Sequence, residues 1–558
     1  MSNDTTSGRD EATKRYVIVG GVAGGMSTAT RLRRLDENAE ITVIERSGYV
    51  SFANCGLPYY VGGVIEQRSA LLLQTPESLA ARFGITVLVN SEVVGIDTAA
   101  RAVTVRSTMS DETSTLAYDD LVLSPGARPI TPPLPGIERA LTLRDVEDTD
   151  AMAAAVSGAK TAVVIGGGFI GVEVAENLVH RGMQVSLVEA TAQVMAPIDP
   201  EMATPVHQRL RDRGVDLRLG VSVTAIGDQV VTLSDGSTLP AEVVVAAIGV
   251  RPDTTLARMA GLTIGPRGGI AVDEKMTTSD RHVHAIGDAV EKVDGLSHET
   301  TLVPLANTAN RQGRVLADIL SGLPGADRPV LGTAIVGVFG LQVASTGWNE
   351  KRLVAAGRPY RAVHTHPASH AGYYPGAAQL ALKLLVDPET DEILGAQGIG
   401  DDGVDKRIDV IATAIAGGLT ASDLADLELA YAPAFGSAKD PVNMLGYVDQ
   451  NAAQGVTGTV QWHEVGELME GGVHLIDVRT PAEVANGAIP GAVNIPVDEL
   501  RDRLDELPEG DLVVSCAVGI RGHIAARMLT QKGRNAKNLD GGYKTWSAGM
   551  ASRQNAAS

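Results

Sequence analysis

Short apolar runs, each closed by glycine or a charged residue, alternate along most of the chain with longer stretches whose apolar positions recur at helical spacing. RYVIV leads through GGVAGG into MSTATRLRRL, which predicts strand, glycine turn and helix, and EITVIE supplies a second strand ending at Glu45. TAVVIGGGFIGVEVAENLVHRG and QVSLVE repeat the pattern and end at Glu189. Two such βαβ beginnings predict two dinucleotide folds with doubly wound α/β sheets. Between and after them lie strand-like runs: ITVLVNSEVVGID, RAVTVRS, LVLSPGARP, VVTLSDGSTL and AEVVVAAIGVRP. From about Thr333 the texture becomes mixed strand and helix, with QLALKLLVD, EILGAQGIG and the helical VDKRIDVIATAIAGG. A polar stretch, DQNAAQGVTGT, reads as a linker. VHLIDVR, AVNIP and DLVVSC, with a helix from about Gly522 to Lys532, then predict a small separate α/β domain.

At 558 residues the chain exceeds a single hydrophobic core. Apolar residues make up 44%, which is globular rather than disordered. The net charge of −20 argues against nucleic acid or an anionic membrane as partner, while a local basic cluster can still serve a small anion. The N-terminal MSNDTTSGRDEATKR lacks the apolar core of a signal peptide, and no apolar run approaches the roughly 18 residues of a membrane span. Only two cysteines occur, Cys55 and Cys516, too few for a disulfide framework. A reducing cytoplasm is therefore the expected setting.

GGGFIG satisfies G-x-G-x-x-G through Gly166, Gly168 and Gly171, with Phe169 and Ile170 between them and Glu189 at the next strand end. Glycines let the backbone meet a pyrophosphate at a helix N-terminus, and the carboxylate can hold ribose hydroxyls. Glu189 would repel a 2′-phosphate, so NADH is favoured over NADPH. In GGVAGG the outer positions are Gly20 and Gly25, Val22 stands at the middle one, and Ala23 beside it is a further candidate cofactor contact; Ala29, Glu45 and Arg46 complete the pattern. Either motif alone could be a glycine-rich packing turn.

Cys55 lies in YVSFANCGLPYY, where Pro58 fits the first turn of a helix, and a helix N-terminus favours a reactive thiolate. Position 60 is tyrosine, so the C-x4-C pair of flavin disulfide reductases is missing and an internal dithiol cycle is impossible. Cys55 must cycle through a mixed disulfide with a small thiol, or through sulfenic acid. Cys516 opens CAVGIRG after a buried-type strand; a C-x4-R loop ending at Arg521 can turn its backbone N–H groups inward around a thiolate or persulfide.

HVHAIGDAVE, with Gly287 and Asp288, together with GGVAGG resembles the flavin-binding motifs of the two-dinucleotide-domain flavoproteins, which implies FAD in the first fold and NADH in the second, with Gly249 of AEVVVAAIGVRP beside the cofactors. SFANCGLPYY, HAGYYPGA and LAYAPAFGSAKDPVN resemble the coenzyme A disulfide reductases over about Tyr16 to Val448. That resemblance implies exchange of Cys55 with the sulfur of CoA and a homodimer in which Tyr374 and Tyr431 reach the partner's cysteine. It further implies CoA entry along Ser27, Arg31, Arg34, Ser51 and Asn54. Arg33 lies in the same basic run, whose ordinary reading is a solvated helix face.

IDVRTPAEVANGAIPGAVNIP and LDGGYKTW resemble a single-domain rhodanese, with Cys516 as sulfur carrier and Asp477 and Arg479 supporting the fold. Ala488 departs from the family's usual histidine, a change expected to bear on packing. The whole resembles the CoA disulfide reductase–rhodanese fusions, also known as NADH-dependent persulfide reductases. The implied division is a flexible tail at 1–14, an FAD domain at 15–135 and 265–332, and an NAD domain at 136–264. To these it adds a dimerisation domain at 333–448, a linker at 449–458 and a rhodanese domain at 459–552. Substrates are CoA persulfide, CoA disulfide, polysulfide or other sulfane-sulfur donors; no metal is expected. An NADH oxidase or peroxidase using Cys55 sulfenic acid, and a redox sensor, remain as alternatives.

Overall fold

The computed structural model describes residues 13–557, with side chains to residue 555. The tail predicted at 1–14 therefore lies outside the described residues as far as residue 12, while Lys14 pairs with Asp120 at 3.1 Å. Two compact units are present, each discontinuous in sequence. One comprises residues up to Pro133 with Leu141–Gly158 and Ile248–Val330; the other comprises Leu134–Ala140, Ala159–Ala247 and Leu331 onwards.

The first unit is built on a parallel sheet in the order Val283–Ala285, Asp120–Leu123, Arg15–Val19, Glu40–Ile44, Thr86–Leu88. Its central strands are apolar on both faces because both are covered, as parallel sheets require. Helices Ala23–Leu35 and Ala306–Leu320 pack together on one face, closely enough that a Cβ on Gly313 would overlap the Gly24 carbonyl. The antiparallel strands Ser91–Asp97, Ala102–Ser107 and Thr113–Ala117 form a separate sheet.

The predicted FAD–NAD boundaries shift here. Helix Val146–Val156 belongs to the first unit because Val146 closes an apolar cluster with Phe52, Leu57 and Leu71. Strand Val250–Pro252 joins it as well, pairing antiparallel with Ala127–Pro129.

Among the described residues the second unit holds four sheets, one of them the small antiparallel Val223–Ile226, Val230–Leu233, Thr238–Pro240. Asp216–Leu219, Gln184–Glu189, Thr161–Ile165 and Val243–Ala246 form the second parallel nucleotide-type sheet. An antiparallel sheet runs Ala334–Val338, Leu341–Gly347, Ile393–Gly400, Leu380–Val386, Arg361–Thr365, with helices Val404–Gly417 and Pro441–Ala453 against it. The last is the small parallel sheet Thr459–Val460, Ala536–Leu539, Leu512–Ser515, His474–Asp477, Val493–Asn494. The α/β class with a mixed third domain and an appended α/β domain is as the sequence led us to expect.

The linker expected at 449–458 is in part helix. Pro441–Ala453 runs into it, and Asp449 is fully buried against Arg361, with nitrogen–oxygen distances of 2.8 and 2.9 Å. Among the described residues no helix is long and apolar enough to cross a membrane.

Candidate active sites

Each glycine turn is shaped by close approach of its own backbone. Gly20 sits at φ +103°, and a Cβ on Gly25 would overlap the Gly20 carbonyl, so the helix is drawn onto the strand only by a residue without a side chain. Gly166 and Gly171 reproduce that relation, with Gly166 again at φ +103°. Gly168, by contrast, has nothing within 4 Å of where a Cβ would stand. That open space at the N-cap of helix Phe169–His180 fits a pyrophosphate. Ile170 is exposed beside it.

Glu45 accepts from the backbone N–H groups of Gly21 at 2.7 Å and Ser47 at 2.9 Å, and burial pushes its carboxyl above the ordinary range. Glu189 accepts from Gly167 and Thr191, both at 2.8 Å. Ala23 opens the first helix and Arg46 is exposed next to Glu45. Gly249, at φ +110°, lies in the first unit with its carbonyl bonded to Ile130 N–H at 3.0 Å.

Gly287, at φ +80°, donates to Gln312 at 2.8 Å, and its carbonyl accepts from buried Lys292 at 2.9 Å. Burial lowers the Lys292 ammonium to about 8. Asp288 keeps one buried carboxylate oxygen with no hydrogen-bond partner, and burial raises its pKa. An orphaned acceptor of this kind beside a glycine turn fits a hydroxyl-bearing ligand such as the ribityl chain of FAD.

Cys55 is exposed in the turn Asn54–Gly56, directly before helix Leu57–Gly62, in whose first turn Pro58 lies as predicted. A groove of 410 Å³ opens along the same segment, lined among others by Ala23, Ser27, Ser51, Asn54, Arg82 and Asn310. Ser51 is held at φ +48° by donating its N–H to the Gly21 carbonyl at 2.7 Å.

The arginines of the first helix divide. Arg31 is paired with Asp318 at 2.7 Å, and Arg34 is exposed. Arg33 cannot serve the expected basic cluster: its buried guanidinium donates to the carbonyls of Phe83, Asp36, Glu37, Ala39 and Gly84. Arg82 supplies the cation that lines the groove instead. Sequence reading missed it because Arg82 lies on another helix, Pro76–Phe83, and only the fold brings it there.

In the second unit Tyr374 and Tyr431 are both half-exposed, but the hydroxyl bonded to Tyr431 is that of Tyr373, at 3.0 Å. Tyr374 packs edge-on against His370. Of the two adjacent tyrosines, Tyr373 is thus the one that shares a proton with Tyr431, a distinction invisible in YYPGA.

Cys516 directly follows the central strand Leu512–Ser515 and is fully buried, with the Gly519 N–H donating to its Sγ at 3.1 Å. Arg521 is bound on both arms by Glu483, at 2.8 and 2.6 Å, and this pairing lowers the Glu483 carboxyl to about 2. Asp477 and Arg479 form a buried pair, the shortest contact being 2.6 Å, and Arg479 stacks 4.3 Å over Tyr543. Ala488 is exposed, so the missing histidine leaves the core unaltered. No cluster suited to a metal ion occurs among the described residues.

Comparison with known proteins agrees with this architecture. Residues 14–313 match the pyridine nucleotide-disulphide oxidoreductase family model, residues 333–441 its dimerisation domain, and residues 461–549 the rhodanese-like domain. Coenzyme A disulfide reductase of Staphylococcus haemolyticus is 34% identical over 78% of this chain and 99% of its own. The crystal structure of reduced Bacillus anthracis CoADR-RHD is 50% identical with a TM-score of 0.95, covering 97% of this chain and 99% of that one. A NAD-dependent persulfide reductase from A. fulgidus is 38% identical with a TM-score of 0.90, covering 95% of this chain and 100% of that one.

Proposed function

The chain belongs to the pyridine nucleotide-disulphide oxidoreductase family, and from that premise we propose that it uses NADH to reduce the persulfide or disulfide of coenzyme A at Cys55, with Cys516 delivering sulfane sulfur. The observation that carries this reading is one exposed thiol beside the groove of Ser27, Ser51, Asn54 and Arg82, with tyrosine where a second cysteine would stand. The second sulfur must come from the substrate.

Gly20, Gly25, Glu45, Gly287 and Asp288 would hold FAD; Gly166, Gly168, Gly171 and Glu189 would hold NADH. When bound, FAD supplies the two electrons, received from NADH as hydride, that reopen the cysteine–CoA disulfide. Cys516 takes sulfane sulfur as a persulfide, stabilised by the Gly519 N–H, and passes it to CoA thiolate to give CoA persulfide. The Cys55 thiolate attacks the CoA-bound sulfur; the S–S bond of the persulfide breaks and hydrosulfide leaves. Reopening of the resulting mixed disulfide by one hydride equivalent returns the Cys55 thiolate and CoA thiol, so that one NADH is consumed for each CoA persulfide. Arg82, with Ser27 and Asn54, offers charge and hydrogen bonds to an anionic thiol at the groove. Tyr373 and Tyr431, reaching from a second subunit, would donate to the departing thiolate. Polysulfide enters the same scheme as a donor to Cys516.

The test is steady-state NADH oxidation with CoA persulfide, CoA disulfide, polysulfide and peroxide compared side by side. Cys55→Ser is expected to abolish reduction of both CoA substrates, while Cys516→Ser spares reduction of preformed CoA persulfide. Peroxide turnover with no response to CoA compounds would overturn the reading in favour of an NADH oxidase or peroxidase.

A further inference from the structure

A buried ionic chain within the second unit links elements that neither nucleotide binding nor the Cys55 cycle requires. Lys383, at zero exposure, holds Glu201 at 2.5 Å, Asp199 at 3.0 Å and Glu350 at 2.9 Å. Glu201 faces His364 Nε2 at 3.2 Å, and His364 Nδ1 faces Asp540 at 2.7 Å. The Asp540 carboxylate also accepts from the His364 backbone N–H at 3.0 Å and from Gln461 at 3.2 Å. Asp199 and Glu201 belong to the second nucleotide domain, Glu350, His364 and Lys383 to the antiparallel-sheet domain, and Asp540 to the domain that carries Cys516.

The four residues after Asp540 make this more than a docking contact. Gly541 and Gly542 stand at φ +66° and +64°. A Cβ on Gly541 would lie 2.8 Å from the His364 Cβ, and one on Gly542 would overlap the Cys516 carbonyl and lie 2.8 Å from the N–H nitrogens of Val518 and Gly519. The next two residues bond the loop directly: Tyr543 N–H donates to the Cys516 carbonyl at 2.7 Å and Lys544 N–H to the Ala517 carbonyl at 3.1 Å. The diglycine is therefore a spacer of backbone thickness, with His364 on one side and the cysteine loop, including the N–H that meets Sγ, on the other.

We infer that His364 is a positioning residue for sulfur transfer at Cys516, fixing Asp540 and through it the backbone that shapes the persulfide loop. The inference rests on Cys516 being the sulfur carrier. Two carboxylates flank one imidazole, so its charged form is the one the geometry selects; burial is the largest single influence and alone would neutralise the ring, but the attractions of Asp540 and Glu201 together exceed it and raise the group to about 9. Lys383 faces it from Leu380–Val386, and His366, lowered to about 3 by burial, from its own strand segment; Lys544 acts beyond His366. Loss of the imidazolium leaves Asp540 buried beside a neutral ring and releases the loop.

The experiment uses the full-length holoenzyme with thiosulfate as donor and cyanide as acceptor, subtracting a Cys516→Ser baseline. NADH-driven reduction of CoA disulfide and a thermal melt serve as controls for folding. His364→Gln and Asp540→Asn are expected to lower kcat of transfer by about tenfold or more with KM for thiosulfate little changed, since displacement of a reacting group by an ångström has effects of that order. CoA disulfide reduction is retained in both. The wild-type kcat falls as pH rises through about 9, and His364→Gln lacks that limb. Unchanged kcat in both variants, or a basic limb that persists in His364→Gln, overturns the inference. Parallel loss of transfer and of CoA disulfide reduction overturns it too, by assigning His364 a purely structural role. Absence of Cys516-dependent transfer in the wild type would instead remove the reading of Cys516 on which it stands.

Discussion

At the scale of single residues, one hydrogen bond separates two adjacent tyrosines. Tyr373 shares its hydroxyl with Tyr431 at 3.0 Å while Tyr374 leans on His370, so only the first belongs to a pair able to relay a proton. Tyr373→Phe and Tyr431→Phe are each expected to reduce kcat for CoA disulfide by about 100-fold or more, the range for removal of one hydrogen-bond donor from a developing anion. Tyr374→Phe should leave kcat near wild type, and a loss at Tyr374 alone would reverse the assignment. A motif match over YYPGA cannot make this choice because both tyrosines satisfy it. The same holds for the basic residues of the first helix. The run RLRR shows charge, but only the fold reveals that Arg33 is spent on five carbonyls and Arg31 on Asp318.

At the scale of elements, the glycine turns were the most legible part of the chain, because a strand must pass into a helix there without side-chain bulk. Their members differ in physical role, which suggests a discriminating pair of substitutions. Gly171→Ala places a methyl into the Gly166 carbonyl and should destabilise the domain as well as impair NADH use. Gly168→Ala meets only open space, so the melting temperature should stay within about 2 °C while KM for NADH rises about tenfold or more. A melt that falls sharply in Gly168→Ala would show that the open space is not the ligand's.

The polar segment after the third domain illustrates the opposite case. DQNAAQ has linker composition, yet Asp449 is fully buried against Arg361, and the helix Pro441–Ala453 continues through the expected boundary. A buried ion pair offsets the polarity that composition counts, and its partner lies far away in sequence.

At the scale of the whole chain, the sequence suggested a small domain tethered to a reductase, and the second unit gives that domain a buried electrostatic attachment. Helix Gly542–Ala557 also packs on Pro200–Asp212, where Thr204 donates to the Ala548 carbonyl at 2.8 Å. Attachment of this kind is pH-dependent with a definite sign. The folded-state pKa of His364 lies at about 9, above its ordinary 6.5, so its contribution to stability is complete below the ordinary value and disappears as pH rises through 9. Truncation before Gln461 removes Asp540, leaving His364 in contact with Glu201 alone and uncovering the helix face that carried the C-terminal helix. The full chain should therefore lose melting temperature between pH 7 and 9.5, and the truncated chain should melt lower at pH 7 with a weaker dependence over that interval. Differential scanning fluorimetry of the two chains across this range checks both parts. A tethered, independent domain would instead leave the reductase melt unmoved by truncation at every pH, and that outcome would return the segment 449–458 to the role its composition suggests.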